Sequence, residues 1–131
     1  MNAIEVLAQA GIRPTPQRLA VAEFVLAGRT HPTADEVFAA VQHTCPTISR
    51  ATVYNTLRLL VNKGLLREQV LREGVTVFDA ERTAHHHFVD EETGQIHDVP
   101  WEALKVYGAD QLGGFEVHDL QVVLRGRRRR A

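Results

Sequence analysis

Apolar residues recur at helical spacing through the first half of the chain, and each run is bounded by capping signals. Ile4, Leu7 and Ala8 mark a first helix, with Asn2 as its cap, Glu5 three residues on, and Gly11 at its end. Thr15 and Pro16 open a second, because a proline at the first helical position sacrifices no hydrogen bond. Leu19, Ala22, Val25 and Leu26 are its buried face and Gly28 its stop. Thr33-x-x-Glu36 is a capping box for a third, with Val37, Phe38 and Val41 inward. Ser49 caps a fourth that Gly64 closes, with Val53, Leu57, Leu60 and Val61 on one face.

The period then changes. Leu65–Leu71 and Val75–Phe78 are β-rich runs joined by Arg72-Glu73-Gly74. Helices followed by a β-hairpin predict a winged helix. His85–Val89 and Gln95–Val99 predict a second hairpin around the turn Asp90–Gly94. Pro100–Leu112 is a helix candidate through Trp101, Leu104 and Val106, and Phe115–Leu124 is a last strand. The fold class is therefore α+β. A winged-helix DNA-binding domain over residues 1–79 precedes a small α/β domain over residues 80–131, which ends in a basic tail. The second is too small to stand alone, which points to pairing with another copy.

Composition narrows the class. With 131 residues, 44% hydrophobic and 24% charged, the chain fits a soluble globular protein. No apolar run approaches the roughly 18 residues of a membrane span, and the N-terminus lacks a signal-peptide pattern. One cysteine, Cys45, excludes an intrachain disulfide and a multi-cysteine zinc site. A cytoplasmic protein is expected. Charge is uneven: residues 1–73 carry +2, residues 74–124 carry −8 and residues 125–131 carry +5. A polyanion suits the first segment and a cation the second.

The exposed face of the fourth helix presents Arg50, Thr52, Tyr54, Asn55 and Arg58, the residue types a recognition helix sets against base edges and phosphates. Arg67 and Arg72 on the wing are further phosphate candidates. A solvated helix face is the competing reading. In the second hairpin, pairing Val89 with Ile96 sets His87 opposite Asp98. His85 shares that face, while His86 and His97 fall on the other. A polar surface-strand position is one reading of His86. Asp79 ends the wing just upstream and His31 opens the third helix. Three nitrogens and two oxygens from His31, Asp79, His85, His87 and Asp98 suit Fe(II), Mn(II) or Zn(II) rather than calcium. A small metalloenzyme with an open coordination position is the alternative, but no stretch signals a substrate pocket.

These residues resemble the ferric uptake regulator (Fur/PerR) superfamily. The resemblance lies in GIRPTPQR (11–18), HPTADEVF (31–38), SRATVYNTLRLLVNKGLL (49–66), Phe78-Asp79 and HHHFVDEETGQIHDV (85–99). It covers about residues 3–126. It implies a homodimeric, metal-sensing transcriptional repressor, not an enzyme, that binds double-stranded DNA at an inverted-repeat operator. The regulatory metal, Fe(II) or Mn(II) with Zn(II) as an in vitro substitute, would fall on His31, Asp79, His85, His87 and Asp98. Arg13, Gln17 and Arg18 join Arg50, Thr52, Tyr54, Asn55 and Arg58 as candidate DNA contacts.

The chain departs from the family where many members hold a structural zinc on two CxxC pairs. Asp90 and Thr93 replace the first pair, and Arg125-Gly126-Arg127-Arg128 the second. A further metal site of some members is not expected here, because Leu120 stands where a histidine is expected and His118 lies two residues earlier. Whether His86, His97 or His118 builds a second site is open. Asp98, where iron-uptake repressors more often carry Glu, resembles the peroxide-sensing branch. There the oxidation-sensitive histidines match His31 and His85. Iron- or haem-responsive regulators are the alternative, with Cys45-Pro46 a weak haem-type dipeptide. The Arg127–Arg130 tail reads as a solvated end.

Overall fold

The computed structural model describes residues 1–27, 30–72, 74–80 and 84–130, with Arg72 described by its backbone alone. The chain divides into two compact units, Met1–Glu81 and Arg82–Ala131. No helix among the described residues is long and apolar enough to cross a membrane.

The first unit holds α1 (Ala3–Gln9), α2 (Pro16–Ala27), α3 (Ala34–Val41) and α4 (Arg50–Asn62), then β1 (Arg67–Arg72) and β2 (Val75–Asp79). Each helix starts where a side chain satisfies a backbone N–H that has no partner inside the helix. Asn2 Oδ1 accepts from Glu5 N at 2.9 Å, and Thr15 Oγ1 from Arg18 N at 3.3 Å. The Thr33–Glu36 capping box is complete, with bonds of 3.2 and 3.1 Å. Ser49 Oγ accepts from Thr52 N at 3.1 Å. Gly64, at φ +76°, takes the left-handed conformation that lets the chain leave α4.

The core of this unit joins Leu7, Ile12, Val21, Val25, Val37, Val41, Val53, Leu57 and Leu60 to Phe78 of β2. Two expectations need correction. In α1 the inward residues are Val6 and Leu7, with Ala3 and Ala10; Ile4 and Ala8 are exposed. Two helical turns allow more than one apolar stripe, and packing chose the other. Leu65 and Leu66 are buried in the helical core, so β1 begins at Arg67 instead of Leu65. The expected stop at Gly28 and the phosphate-contacting side chain of Arg72 lie outside the described residues.

The β1–β2 hairpin is antiparallel, pairing Arg67 with Asp79 and Gln69 with Val77, with a register shift between Val70 and Arg72. Phe78 N donates to Pro32 O at 2.9 Å. That bond fastens the end of the wing to the segment just before α3, next to His31. Four helices with a terminal hairpin on their core make a winged helix.

The second unit is a three-stranded sheet in the order β4-β3-β5, from β3 (His85–Asp90), β4 (Ile96–Pro100) and β5 (Val123–Gly126). β3 and β4 are antiparallel in the expected register, Val89 with Ile96 and His87 with Asp98. β5 runs parallel to β3, His87 facing Val123.

The helix expected over 100–112 does not form. Only 3-10 turns occur there, at Trp101–Ala103 and Ala109–Gln111, with no buried residue in either. Leu104 is extended, and Gly108 sits at φ +87°. Val106, Tyr107 and Leu112 are exposed, so a helix would have no packed face to stabilise it. The last strand is also shorter than the expected Phe115–Leu124. By the parallel register, residue 121 lies level with His85, the first residue of β3. Residues upstream of it have no strand to pair with, and Phe115 is exposed.

Candidate metal centre and nucleic-acid face

In the first unit, the bond from Phe78 to Pro32 brings His31 and Asp79 together. His31 Nε2 is 3.4 Å from Asp79 Oδ2, and their side chains are only 3% and 4% exposed. A carboxylate withdrawn this far from water demands a cationic or hydrogen-bonding partner.

In the second unit, the pleat sets His85 and His87 on one face of β3 with Asp98 across from them on β4. His85 Nε2 and His87 Nε2 are 3.1 Å apart. Asp98 Oδ1 lies 3.5 Å from the first and 3.9 Å from the second. Both imidazoles are buried, His87 completely. On its far side, His87 Nδ1 is 2.9 Å from Oε1 of Gln121. An amide oxygen can only accept, so Nδ1 carries the proton and Nε2 holds the lone pair. This is the tautomer of a metal-bound imidazole oriented by an outer partner.

The donor set fits a borderline divalent cation: two buried imidazole nitrogens and a carboxylate oxygen converge on one side of a rigid hairpin. Gln121 was not among the sequence candidates. Its signal is weak, a lone polar residue in an apolar run.

His86 corrects an expectation. It is 1% exposed rather than on the surface. Its ring stacks on Trp101 at 4.6 Å, and its Nδ1 accepts from Val122 N at 2.9 Å. It thus ties β3 to the segment entering β5. His97 lies near Phe88 on the same face, and His118 is exposed beside Glu116. Asp90 closes the hairpin turn. Its burial opposes ionisation. The N–H groups of Glu92 and Thr93, the Thr93 hydroxyl and the charge of His97 outweigh that, and its pKa is lowered from the ordinary 3.8.

On the first unit, Arg13 of the loop before α2 and Gln17 and Arg18 from the start of α2 share a groove of about 390 Å³ with Thr52 and Asn55 of α4. Arg18 Nη1 donates to Arg13 O at 3.2 Å, fixing the loop that carries Arg13. Tyr54 and Arg58 line a second groove of about 370 Å³, between α3, α4 and the wing. Arg50 is turned toward α3, where it meets Asp35 and Phe38.

Comparison with known proteins identifies the family. The sequence matches the ferric uptake regulator family over residues 9–125. It is 39% identical over 103 residues to the peroxide-responsive repressor PerR of Staphylococcus aureus (strain Mu50), covering 79% of this chain and 70% of that protein. The ferric uptake regulator of Pseudomonas aeruginosa with manganese superposes with a TM-score of 0.76 at 26% identity, over 99% of this chain and 100% of that one. The Campylobacter jejuni peroxide stress regulator gives 0.71 at 28% identity, over 96% and 93%. These relatives are regulators, which removes the small-metalloenzyme alternative. The chain belongs to the ferric uptake regulator family.

Proposed function

We propose that this protein is a homodimeric, metal-dependent DNA-binding repressor that responds to peroxide. In this reading His31 and Asp79 of the first unit and His85, His87 and Asp98 of the second jointly hold one Fe(II) or Mn(II), with Zn(II) as a substitute. The observation that carries the reading is the His85, His87 and Asp98 cluster, with the His87 tautomer set by Gln121. Peroxide is the preferred signal because the Staphylococcus aureus relative at 39% identity is a peroxide-responsive repressor. The chain has a single cysteine, so no structural cysteine-zinc site supports the dimer.

Fe(II), when bound, would supply the electron that opens the O–O bond of peroxide. His31 and His85 would be the side chains oxidised: one oxygen of the peroxide goes to a ring carbon, the other leaves as water, and the imidazole gives up the two electrons, so the iron ends as Fe(II). An oxidised imidazole is a poorer donor, and the site would lose affinity. On the DNA side, Arg13, Gln17, Arg18, Thr52, Tyr54, Asn55 and Arg58 meet the duplex, and two-fold symmetry makes the operator an inverted repeat.

The test is DNA retention with Fe(II) and with Mn(II), before and after peroxide, followed by mass spectrometry of the His31 and His85 peptides. Loss of DNA with Fe(II) alone, together with added oxygen on those histidines, is expected. Retained DNA with no oxidised histidine would replace the peroxide reading with the iron-responsive one.

A further inference from the structure

Arg50 is the first residue of α4, yet its guanidinium is held by α3. Nη1 lies 2.5 Å from Asp35 Oδ1, and Cζ sits 4.5 Å over the Phe38 ring. Asp35 and Phe38 are three residues apart, so one turn of α3 offers a carboxylate and an aromatic face to a single cation. Folding does not explain the pair. The side chains of Arg50 and Asp35 are 61% and 71% exposed, and an ion pair so open to water contributes little to stability. Asp35 also lines the groove that holds Tyr54 and Arg58. Glu68 of the wing lines the same groove, but of its two acids Asp35 is the one that holds Arg50.

We propose that Asp35 is a specificity-determining residue: it occupies Arg50 in the free protein and yields it only to a phosphate delivered in the correct register. The inference rests on the DNA-binding reading above. Carboxylate and phosphate compete for the same guanidinium donors. On an arbitrary duplex no base contact fixes the register. Arg50 then stays with Asp35, whose charge repels the backbone. On the operator, contacts from Thr52, Tyr54, Asn55 and Arg58 hold one phosphate beside Arg50, and the exchange goes through. Phe38 keeps the guanidinium in place during the exchange, since a ring face uses none of its N–H donors. Asp35 therefore weakens non-specific binding more than operator binding, which widens the gap between them.

The experiment uses the full-length, Mn(II)-loaded protein and two probes. One is a random-sequence duplex; the other is a duplex selected from a random pool by the wild-type protein. Binding is measured across a salt series. Each new phosphate contact steepens the slope of log K against log salt by about 0.9 and is worth roughly tenfold near 0.1 M salt. Asp35→Asn and Asp35→Ser should both tighten binding to the random duplex by about that factor and steepen its slope by about 0.9 per subunit. Affinity for the selected duplex should change less, so the specificity ratio falls. Arg50→Ala should remove the steepening, leaving Arg50→Ala/Asp35→Asn no steeper than Arg50→Ala alone. Unchanged slopes in both Asp35 variants, or weaker binding to both probes, would overturn the inference. Wild-type protein that retains neither duplex with Mn(II) defeats the DNA reading itself, a separate and earlier result.

Discussion

The imidazole of His87 is held from behind by Gln121, whose Oε1 lies 2.9 Å from its Nδ1. The bond spans 34 residues of sequence and exists because β5 lies parallel to β3. It settles which nitrogen of His87 faces His85 and Asp98.

Gln121 should therefore govern metal affinity without touching the metal. Loss of such an outer partner typically costs 10–100-fold in affinity, roughly. Gln121→Leu should weaken Mn(II) binding within that range, measured by calorimetry. Gln121→Glu should restore it, because a carboxylate accepts the same proton and raises the basicity of the ring. Equal Mn(II) affinity in Gln121→Leu and wild type would detach Gln121 from the centre.

The DNA face gives a prediction with the opposite pattern. Tyr54 and Arg58 are exposed on α4, while Val53, Leu57 and Leu60 are buried beneath them. Tyr54→Ala and Arg58→Ala should each weaken operator binding by about 1–3 kcal/mol and leave Mn(II) affinity and thermal stability near wild type. Leu57→Ala should instead destabilise the fold by about 2–5 kcal/mol, seen in denaturant titration. Full operator affinity in both surface variants would take α4 out of recognition.

Features encoded by neighbouring residues were legible in the sequence. The Asn2–Glu5 and Thr33–Glu36 caps use residues three apart, and the register of Val89 with Ile96 follows from one short turn. That register alone places His85, His87 and Asp98 on one face. Features set by distant packing were not legible. Gln121 meets His87 only through the β3–β5 pairing, and Val122 N reaches His86 Nδ1 by the same route. Between Trp101, which stacks on His86, and Leu112, the apolar residues Val106, Tyr107 and Leu112 are exposed, so their spacing suggested a helix that packing does not support. Arg50 shows a third case: its place on the exposed side of α4 was readable, but its engagement by Asp35 and Phe38 depends on how α3 and α4 cross.

The hairpin turn should be acid-sensitive. Asp90 is ionised below its ordinary range, because Glu92 and Thr93 donate to its carboxylate. In the unfolded chain it takes up a proton at higher pH than in the folded one. The unfolded state thus binds more protons in that window, and stability rises with pH there. The contribution is present above the ordinary carboxylate pKa and is lost as pH falls through the lowered one. Asp90→Asn should be less stable than wild type at neutral pH, with the gap closing in acid. Parallel unfolding curves for the two proteins down to strongly acidic pH would assign the turn's stability elsewhere.

Asp98 separates the two candidate signals. It faces His87 across the hairpin, and its Oδ1 lies within 3.9 Å of the imidazoles of His85 and His87. Asp98→Glu keeps the charge and the oxygen donor but lengthens the side chain by one methylene. The longer carboxylate would reach the site from a different angle, which would change where peroxide can approach. With Fe(II), Asp98→Glu should still retain operator DNA, and after peroxide it should retain more of it than wild type, with less oxygen added at His31 and His85. Wild type loaded with Mn(II) should also keep its DNA, because Mn(II) does not drive the same one-electron cleavage. Asp79→Ala and His87→Ala should lose metal-dependent DNA binding outright, and lower pH should weaken wild type in the same direction, since protonated imidazoles cannot donate. The readout pairs operator retention with peptide mass. If Asp98→Glu and wild type lose DNA at the same peroxide concentration, Asp98 does not control peroxide access, and its difference from glutamate does not bear on the choice of signal.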